Sequence, residues 1–316
     1  MPLFPRLQVF EIDDQEWFPP FLRTYVQSAL TVSWNTAVPF NHNQAPSQVA
    51  AKLLLRYLGP AINQYRFIDF CAGAGGPTPM IEANVNAALD ARNQQRVPFV
   101  MTDLHPNVWG WTLAVDEANA RERQLHGAAG ESMLGFEKQS VDAGDVPRQL
   151  LQRWTADGGK VFRLFNLAFH HFDDELARRI LKNTVETSDG FAPAPYADFD
   201  LFFHSIFELQ KRSISGFVTV LMLGLGTLLL APIYAIKWRS PAVLFFTYVI
   251  PVLPFVIVFD GFMSVIRTRT TEEVELLLRT CGAKDAEDGK WVIENGTEQF
   301  VWPFASVNYI MCAPQK

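Results

Sequence analysis

The chain has 316 residues, enough for one large α/β domain with additions or for two domains. Its 33 acidic side chains outnumber the 27 basic ones, and a net charge of −6 leaves no electrostatic footprint for nucleic acid as a partner. Three cysteines (Cys71, Cys281 and Cys312) lie far apart, odd in number and without metal-ligand spacing, which fits a reducing compartment. There is no internal repeat or low-complexity tract. The opening Met1-Pro2-Leu3-Phe4-Pro5-Arg6 lacks a basic region followed by an apolar core, so no secretory leader is expected.

Residues 9–34 crowd aromatics beside acids and prolines, as in Phe10-Glu11-Ile12-Asp13-Asp14 and Trp17-Phe18-Pro19-Pro20. That composition predicts a non-repetitive arm or lid on the core, whether as ordinary packing over a sheet edge or as a wall of an acceptor pocket. A helix follows over 48–58, with apolar residues at helical spacing, and Gly59-Pro60 ends it. A short apolar strand, 67–70, runs into the small-residue turn Cys71-Ala72-Gly73-Ala74-Gly75-Gly76 and re-enters a helix at Pro77. Strand and helix then alternate: a helix over 77–91, a strand over 97–102, a helix over 108–121 and a strand over 136–141. A helix over 146–154, a strand over 161–167 and a helix over 174–187 continue the series. Alternation at this pitch means right-handed βαβ units and a mostly parallel sheet, with ligands held at its carboxyl edge.

Four segments at strand ends point to one ligand. Asp69-Phe70-Cys71-Ala72-Gly73-Ala74-Gly75 resembles motif I, D-x-G-x-G-x-G, of the class I S-adenosylmethionine-dependent methyltransferases, with Cys71 where the first glycine usually stands. The third glycine of the dinucleotide pattern is absent and the acid precedes the turn, so a nicotinamide reading is weaker. Asp103 closes the next strand, 34 residues after Asp69, and Asp142 follows the third. Asn166-Leu167-Ala168-Phe169-His170-His171 resembles the family's turn after the fourth strand. The opening Asp14-x-x-Trp17-x-Pro19-x-x-x-Arg23 is also similar to membrane-associated methyltransferase-like proteins.

The resemblance implies a Rossmann-like, mostly parallel seven-stranded sheet with helices on both faces and S-adenosyl-L-methionine as cofactor, S-adenosyl-L-homocysteine being the product. It implies a donor pocket of Asp69, Cys71, Gly73, Ala74, Gly75, Asp103, Leu104, Asp142, Ala143, Asn166 and Leu167. Asp103 would take both ribose hydroxyls, a task a carboxylate performs with a two-oxygen fork. Asp142 would meet the adenine amino group, and the backbone N–H of Ala143 the ring. His170 and His171 stand where an acceptor should sit, and His171 is preferred as the base that takes a hydroxyl proton. A structural histidine bonding a backbone carbonyl is the alternative for each. No His/Asp/Glu constellation in the sequence suggests a catalytic metal.

Residues 193–204 interrupt the pattern with two prolines and an aromatic run and are read as an insertion before a fifth strand over 205–209. Then 23 uncharged residues, 214–236, are followed by Lys237-Trp238-Arg239-Ser240 and 19 more uncharged residues, 241–259. A bilayer core needs about 20 predominantly apolar residues. The second segment carries Pro251 and Pro254 and is expected to be kinked, short or re-entrant. A four-residue connector forces an antiparallel hairpin with both flanks on one side, and Lys211, Arg212, Arg267 and Arg269 favour the cytosol for them. Thr270-Thr271-Glu272-Glu273 predicts a capping box, a helix to about Thr280 and a stop at Gly282. Strands over 291–294 and 307–312, with a turn at Asn295-Gly296, close the sheet.

The chain thus divides into an arm (1–45), a donor-binding core (46–210), a membrane hairpin inserted into that core (211–266) and a closing segment (267–316). The function this implies is methyl transfer to a small lipophilic acceptor at a membrane surface, the catalytic domain facing the cytosol. The lipid bilayer and that acceptor are the partners, with oligomeric state left open. Two alternatives stand: a membrane-anchored scaffold that kept the fold, and an enzyme that uses the pocket for a non-methylating reaction.

Overall fold

The computed structural model describes residues 2, 4–37, 44–187, 203–209, 211–283, 286, 291–302 and 305–314. In chain order it contains α1 (Pro20–Asn35), α2 (Pro46–Leu58), β1 (Tyr65–Phe70), α3 (Thr78–Asp90), β2 (Phe99–Thr102) and α4 (Val108–His126). Then come β3 (Leu134–Phe136), α5 (Arg148–Trp154), β4 (Lys160–Asn166), α6 (Asp174–Thr187) and β5 (Phe203–Glu208). The chain finishes with α7 (Ile214–Lys237), α8 (Ala242–Leu244), α9 (Val252–Arg267), α10 (Thr271–Arg279), β6 (Trp291–Val301) and β7 (Ala305–Pro314).

The seven strands form one sheet in the order β3-β2-β1-β4-β5-β7-β6. The first five run parallel, and β7 is antiparallel to both β5 and β6, so the sheet is mixed. Its central strands are apolar on both faces because helices cover both. Phe67, Phe99, Met101 and Leu164 pack toward α2, α3 and α4, while Ile68, Phe70 and Phe165 pack toward α5, α6 and α10. This is a Rossmann-like arrangement, with β1 and β2 adjacent and their carboxyl ends on one edge.

Several expectations are corrected. The arm is not irregular throughout: proline at the first helical position starts α1, which runs 16 residues. The third strand is only three residues: Glu137 N still donates to the Met101 carbonyl (3.0 Å), and the chain then bends away before Val141 N meets the carbonyl of Asp103, 2.9 Å away. Asn295-Gly296 is not a turn. Strand β6 runs straight through it, and a side chain at 296 would stand 2.6 Å from the Tyr309 hydroxyl, so glycine serves close packing there. The insertion expected over 193–202 lies outside the described residues, and 203 and 204 belong to β5. The capping box of α10 is formed, with Thr270 Oγ1 accepting from Glu273 N and Glu273 Oε2 accepting from Thr270 N.

After β5 the chain enters a helical hairpin. Helix α7 has 24 residues, about 36 Å at 1.5 Å per residue, and among the described residues is the one helix long and apolar enough to cross a bilayer. The second arm is broken: α8 and a π-helical turn (Phe245–Val249) meet α9 at a 71° bend around Ile250-Pro251. Gly224 and Gly261 let the two arms approach closely. A Cβ on Gly224 would fall on the Val258 side chain, and one on Gly261 would lie 2.6 Å from Val220 Cγ1.

The hairpin is tied to the arm. Leu22, Val26 and Ala29 of α1 share a buried cluster with Ala231, Tyr234, Leu253 and Ile257. Tyr25 stacks on Trp238, and its hydroxyl lies 2.5 Å from Ser240 Oγ in the connector. Asp260 on α9 accepts from the backbone N–H of Ile12 (2.6 Å) and Asp13 (2.9 Å). The far end of α1 reaches the β1 turn, where Asn35 Nδ2 donates to the Gly76 carbonyl at 3.4 Å. Both α1 and the end of α9 therefore meet the sheet at the edge that carries Asp69 and Asp103.

Candidate functional site

The carboxyl edge has two parts. At the first, β1 ends in Asp69, whose side chain is buried and takes a short hydrogen bond from Thr78 Oγ1. Asn166 Nδ2, at the end of β4, donates to that same Thr78 oxygen at 3.1 Å. Burial outweighs these bonds and pushes the Asp69 carboxyl up to about 7. The backbone then turns through Cys71, Gly73, Gly75 and Gly76, all with positive φ (66°, 52°, 101° and 47°). Only glycine adopts this region freely, so Cys71 holds strain of order 1–3 kcal/mol that the surrounding turn supports. Leu167 (φ 53°) repeats the feature at the end of β4.

Asp103 braces this turn from β2. Its Oδ2 accepts from Gly73 N at 2.9 Å, and its Oδ1 accepts from His105 N at 2.8 Å. Each carboxylate oxygen keeps a second lone pair for a ligand hydroxyl. Trp111 Nε1 donates to the Gly73 carbonyl at 3.0 Å and fixes the turn from α4. Asp142 is partly committed elsewhere: Oδ1 accepts from Gly144 N (2.7 Å) and Oδ2 pairs with Arg179 Nη2 (3.0 Å). Ala143 is buried, and its carbonyl accepts from Arg163. Leu104 is exposed beside Asp103. Of the residues the resemblance nominates, the structure thus brings Asp69, Cys71, Gly73, Asp103 and Asn166 to one place. Ala74 and Gly75 complete the same turn, and Asp142 and Ala143 follow β3.

Whether this place suits S-adenosylmethionine can be judged from its unpaired atoms. Asp69 Oδ1 and Asn166 Oδ1 are buried acceptors with no hydrogen-bond partner among the described residues. A Cβ built on Gly73 meets nothing within 4 Å. Two orphan acceptors beside an open glycine turn suit a ligand that brings cationic N–H donors, and an ammonium group of an amino-acid portion is such a donor.

The second part is a cluster that sequence order hides. The turn Phe169–His171 after β4 carries both histidines. His170 is buried, with Nδ1 within 2.9–3.0 Å of both Glu208 oxygens and Nε2 3.7 Å from Glu11 Oε1. His171 Nδ1 lies 3.0 Å from Asp14 Oδ2 and 3.6 Å from Glu11 Oε2. Arg267, at the end of α9, donates to the carbonyls of His170 (3.2 Å) and His171 (2.8 Å) and pairs with Glu11 and Asp14, each at 3.2 Å. Burial alone would lower the His171 pKa, but Glu11 and Asp14 outweigh it and push the ring up to about 9. For Asp14 burial is likewise overcome, by His171 and Arg267, and its carboxyl falls to about 2.

His171, paired with Asp14 and Glu11, is therefore not the free imidazole that a general base requires, and among the described residues neither ring bonds a backbone carbonyl, the structural alternative. Glu11, Asp14, Glu208 and Arg267 are the residues that reasoning from sequence missed. The available signal was an acid run in the arm, together with Asp260 and Arg267 closing an apolar segment, since charge at such a position is a functional flag. Beside the cluster opens a cavity of about 700 Å³, lined by His170, Glu208, Arg212, Arg269, Thr270 and Tyr309 among others. None of Asp69, Asp103 and Asp142 lines it.

No protein-family model matches the chain, and no curated protein matches it by sequence. Among solved structures the chain is similar to a protein from Galdieria sulphuraria provisionally assigned as a sarcosine dimethylglycine methyltransferase, at 10% identity over 84% of each chain and a TM-score of 0.34. A likeness at that score carries no argument. The Rossmann-like fold rests on the strand order and the antiparallel end of the sheet.

Proposed function

We propose that this protein is an S-adenosylmethionine-dependent methyltransferase that works at a membrane surface on a small lipophilic acceptor. The observation that carries the reading is the bond between Gly73 N and Asp103 Oδ2, which locks a strained glycine turn to an acid at the end of the neighbouring parallel strand. In an open α/β sheet this edge is where nucleotide-like ligands bind. Asp69 and Asn166 would receive the amino-acid portion, Asp103 the ribose hydroxyls, and Leu104, Asp142 and Ala143 would border the base. Bound there, the cofactor supplies an electrophilic methyl group; the chain's own part is to hold the acceptor in line with it and to exclude water.

The membrane half of the proposal rests on what the hairpin leaves uncovered. Only 28% of the most apolar stretch of α7 is buried, which supports a helix that faces lipid over one that fills a soluble core. Leu221, Leu225, Leu229 and Ile233 recur every four residues and, with Tyr248, Val249 and Phe255 of the second arm, form an exposed apolar face. Arm residues Phe10, Trp17 and Phe21 are exposed as well, and aromatic rings suit a membrane interface. The flanks Lys211, Arg212, Arg267 and Arg269 favour a cytosolic catalytic domain. A lipophilic acceptor would then enter sideways from the bilayer toward the carboxyl edge.

One observation favours a second reading, a scaffold or non-methylating enzyme on the same fold: Asp142 is ion-paired with Arg179 in place of facing open space. Incubating the full chain in native membrane vesicles with methyl-labelled S-adenosylmethionine separates the two. Label in the organic extract is the expected result. Label transferred to nothing, by protein that still binds S-adenosylhomocysteine, would leave the second reading. Release of the chain from vesicles by alkaline carbonate would refute an integral hairpin.

A further inference from the structure

We propose that Glu11, His170 and His171 form a binding site for a divalent transition-metal ion of the zinc, manganese or iron(II) class. One ligand atom from each lies within 4.8 Å of the other two. A tetrahedral ion with bonds of about 2.0–2.1 Å sets its donor atoms roughly 3.4 Å apart. His170 Nε2 is 3.7 Å from Glu11 Oε1 and His171 Nδ1 is 3.6 Å from Glu11 Oε2, so each histidine has one Glu11 oxygen within a few tenths of an ångström of that spacing.

The orientation of His170 points the same way. Its Nδ1 is held by both oxygens of Glu208, which makes Nδ1 the donor, and in the neutral ring Nε2 then carries the lone pair. That nitrogen faces Glu11 Oε1, which also accepts from Ser264 Oγ (2.9 Å) and pairs with Arg267 (3.2 Å), and a cation between nitrogen and oxygen would bridge the facing pair. A ligating histidine whose other nitrogen donates to a carboxylate is the usual outer-shell arrangement of protein metal sites. Arg267 holds the turn through the carbonyls of His170 and His171, fixing the backbone that carries both rings.

Charge agrees. Glu11, Asp14 and Glu208 bring three carboxylates, and among the described residues Arg267 is the one arginine paired with any of them. With both histidines neutral, as metal ligands must be, the remaining two negative charges match one divalent ion. Two imidazoles and a carboxylate select a borderline metal over magnesium or calcium, which prefer all-oxygen ligands. Three protein ligands leave a fourth position, which Asp14 can close or an acceptor oxygen can take; the 700 Å³ cavity reaches His170. Such an ion would orient an oxygen-bearing acceptor and lower its pKa, the task that reasoning from sequence gave to a histidine base.

The test uses the full chain in detergent, without an affinity tag of histidines, dialysed against zinc chloride and analysed for metal. We expect one zinc per chain, and a cobalt(II) form with visible absorption bands. Affinity should fall at least tenfold in Glu11→Gln and in His171→Asn, and 10–100-fold in Glu208→Gln, which touches the site only through His170. Because Glu11 is buried, the partly exposed His171 variant guards against loss of fold, and its melting curve is checked alongside. Zinc bound equally by wild type and His171→Asn would mark an adventitious ion and overturn the proposal, as would no stoichiometric zinc in wild type. S-adenosylhomocysteine binding, measured on the same samples, reports on methyl transfer separately: zinc without it leaves the metal site standing and sinks the methyltransferase reading.

Discussion

The glycine turn and the histidine cluster stand on the same edge of one sheet, yet they are made in different ways. The turn is built from consecutive residues whose backbone φ values and amides do the work, braced by a single carboxylate from the next strand. The cluster gathers side chains from the arm, from the β4 turn, from β5 and from the end of α9. A backbone site is specified by residue type at a fixed spacing. A side-chain site is specified by which distant elements meet, and here the hairpin brings them together. The comparison teaches that the arm and hairpin are the means by which the second half of the edge is assembled, beyond any contact they make with lipid.

If that is right, loosening the hairpin's tie should damage the cluster and spare the turn. The largest effect is expected from Arg267→Met, which strips a buried guanidinium from two carbonyls and two carboxylates. Breaking such a buried pair costs roughly 3–5 kcal/mol, read by denaturant unfolding in detergent. S-adenosylhomocysteine affinity should nevertheless survive in the folded fraction. Asp260→Ala leaves the amides of Ile12 and Asp13 unpaired, at about 1–3 kcal/mol each if they stay buried. Its signature is faster proteolytic cleavage of residues 1–19, and an arm as protected as in wild type would contradict the tie.

The turn has its own handle in pH. The Asp69 carboxyl titrates at about 7 in the fold, against 3.8 for the ordinary group. A raised pKa means the folded state holds its proton longer, so stability is full below about pH 4 and is lost as pH rises toward 7. Asp69→Asn should flatten that part of the profile, and an unchanged slope would show that the orphaned acceptor does not govern it. The smallest effect, about 1 kcal/mol, is expected from Thr270→Ala, which removes one cap of α10 and should leave both parts of the edge intact.

Much of the sheet could be read from the chain because its signals are local. The helix expected over 174–187 is α6 to the residue, and the capping box of α10 forms as its spacing indicates. The strands expected at 67–70, 97–102, 161–167 and 205–209 overlap β1, β2, β4 and β5. What failed was decided over distance. Strand β3 ends early where the chain bends away before Val141 meets the backbone of Asp103, and β6 passes through an Asn-Gly pair because Tyr309 needs the space above Gly296. The second apolar segment is expected to be kinked, short or re-entrant, and it bends by 71° around Ile250-Pro251. That α9 would carry Asp260 and Arg267 back to the arm and the histidines could not be read from hydropathy. Asp69, Gly73 and Asp103 were legible as a motif, whereas Glu11 and Glu208 have no local pattern tying them to His170.

The central claim is that the edge between β1 and β2 holds the methyl donor. Calorimetric titration of S-adenosylhomocysteine into the full chain, beside Asp103→Ala, tests it most directly. Losing hydrogen bonds to a charged group costs about 1.5–3 kcal/mol, so the account predicts micromolar binding to wild type and a roughly 10- to 150-fold loss in the variant. Wild-type protein that is folded and membrane-bound yet takes up no S-adenosylhomocysteine would contradict it.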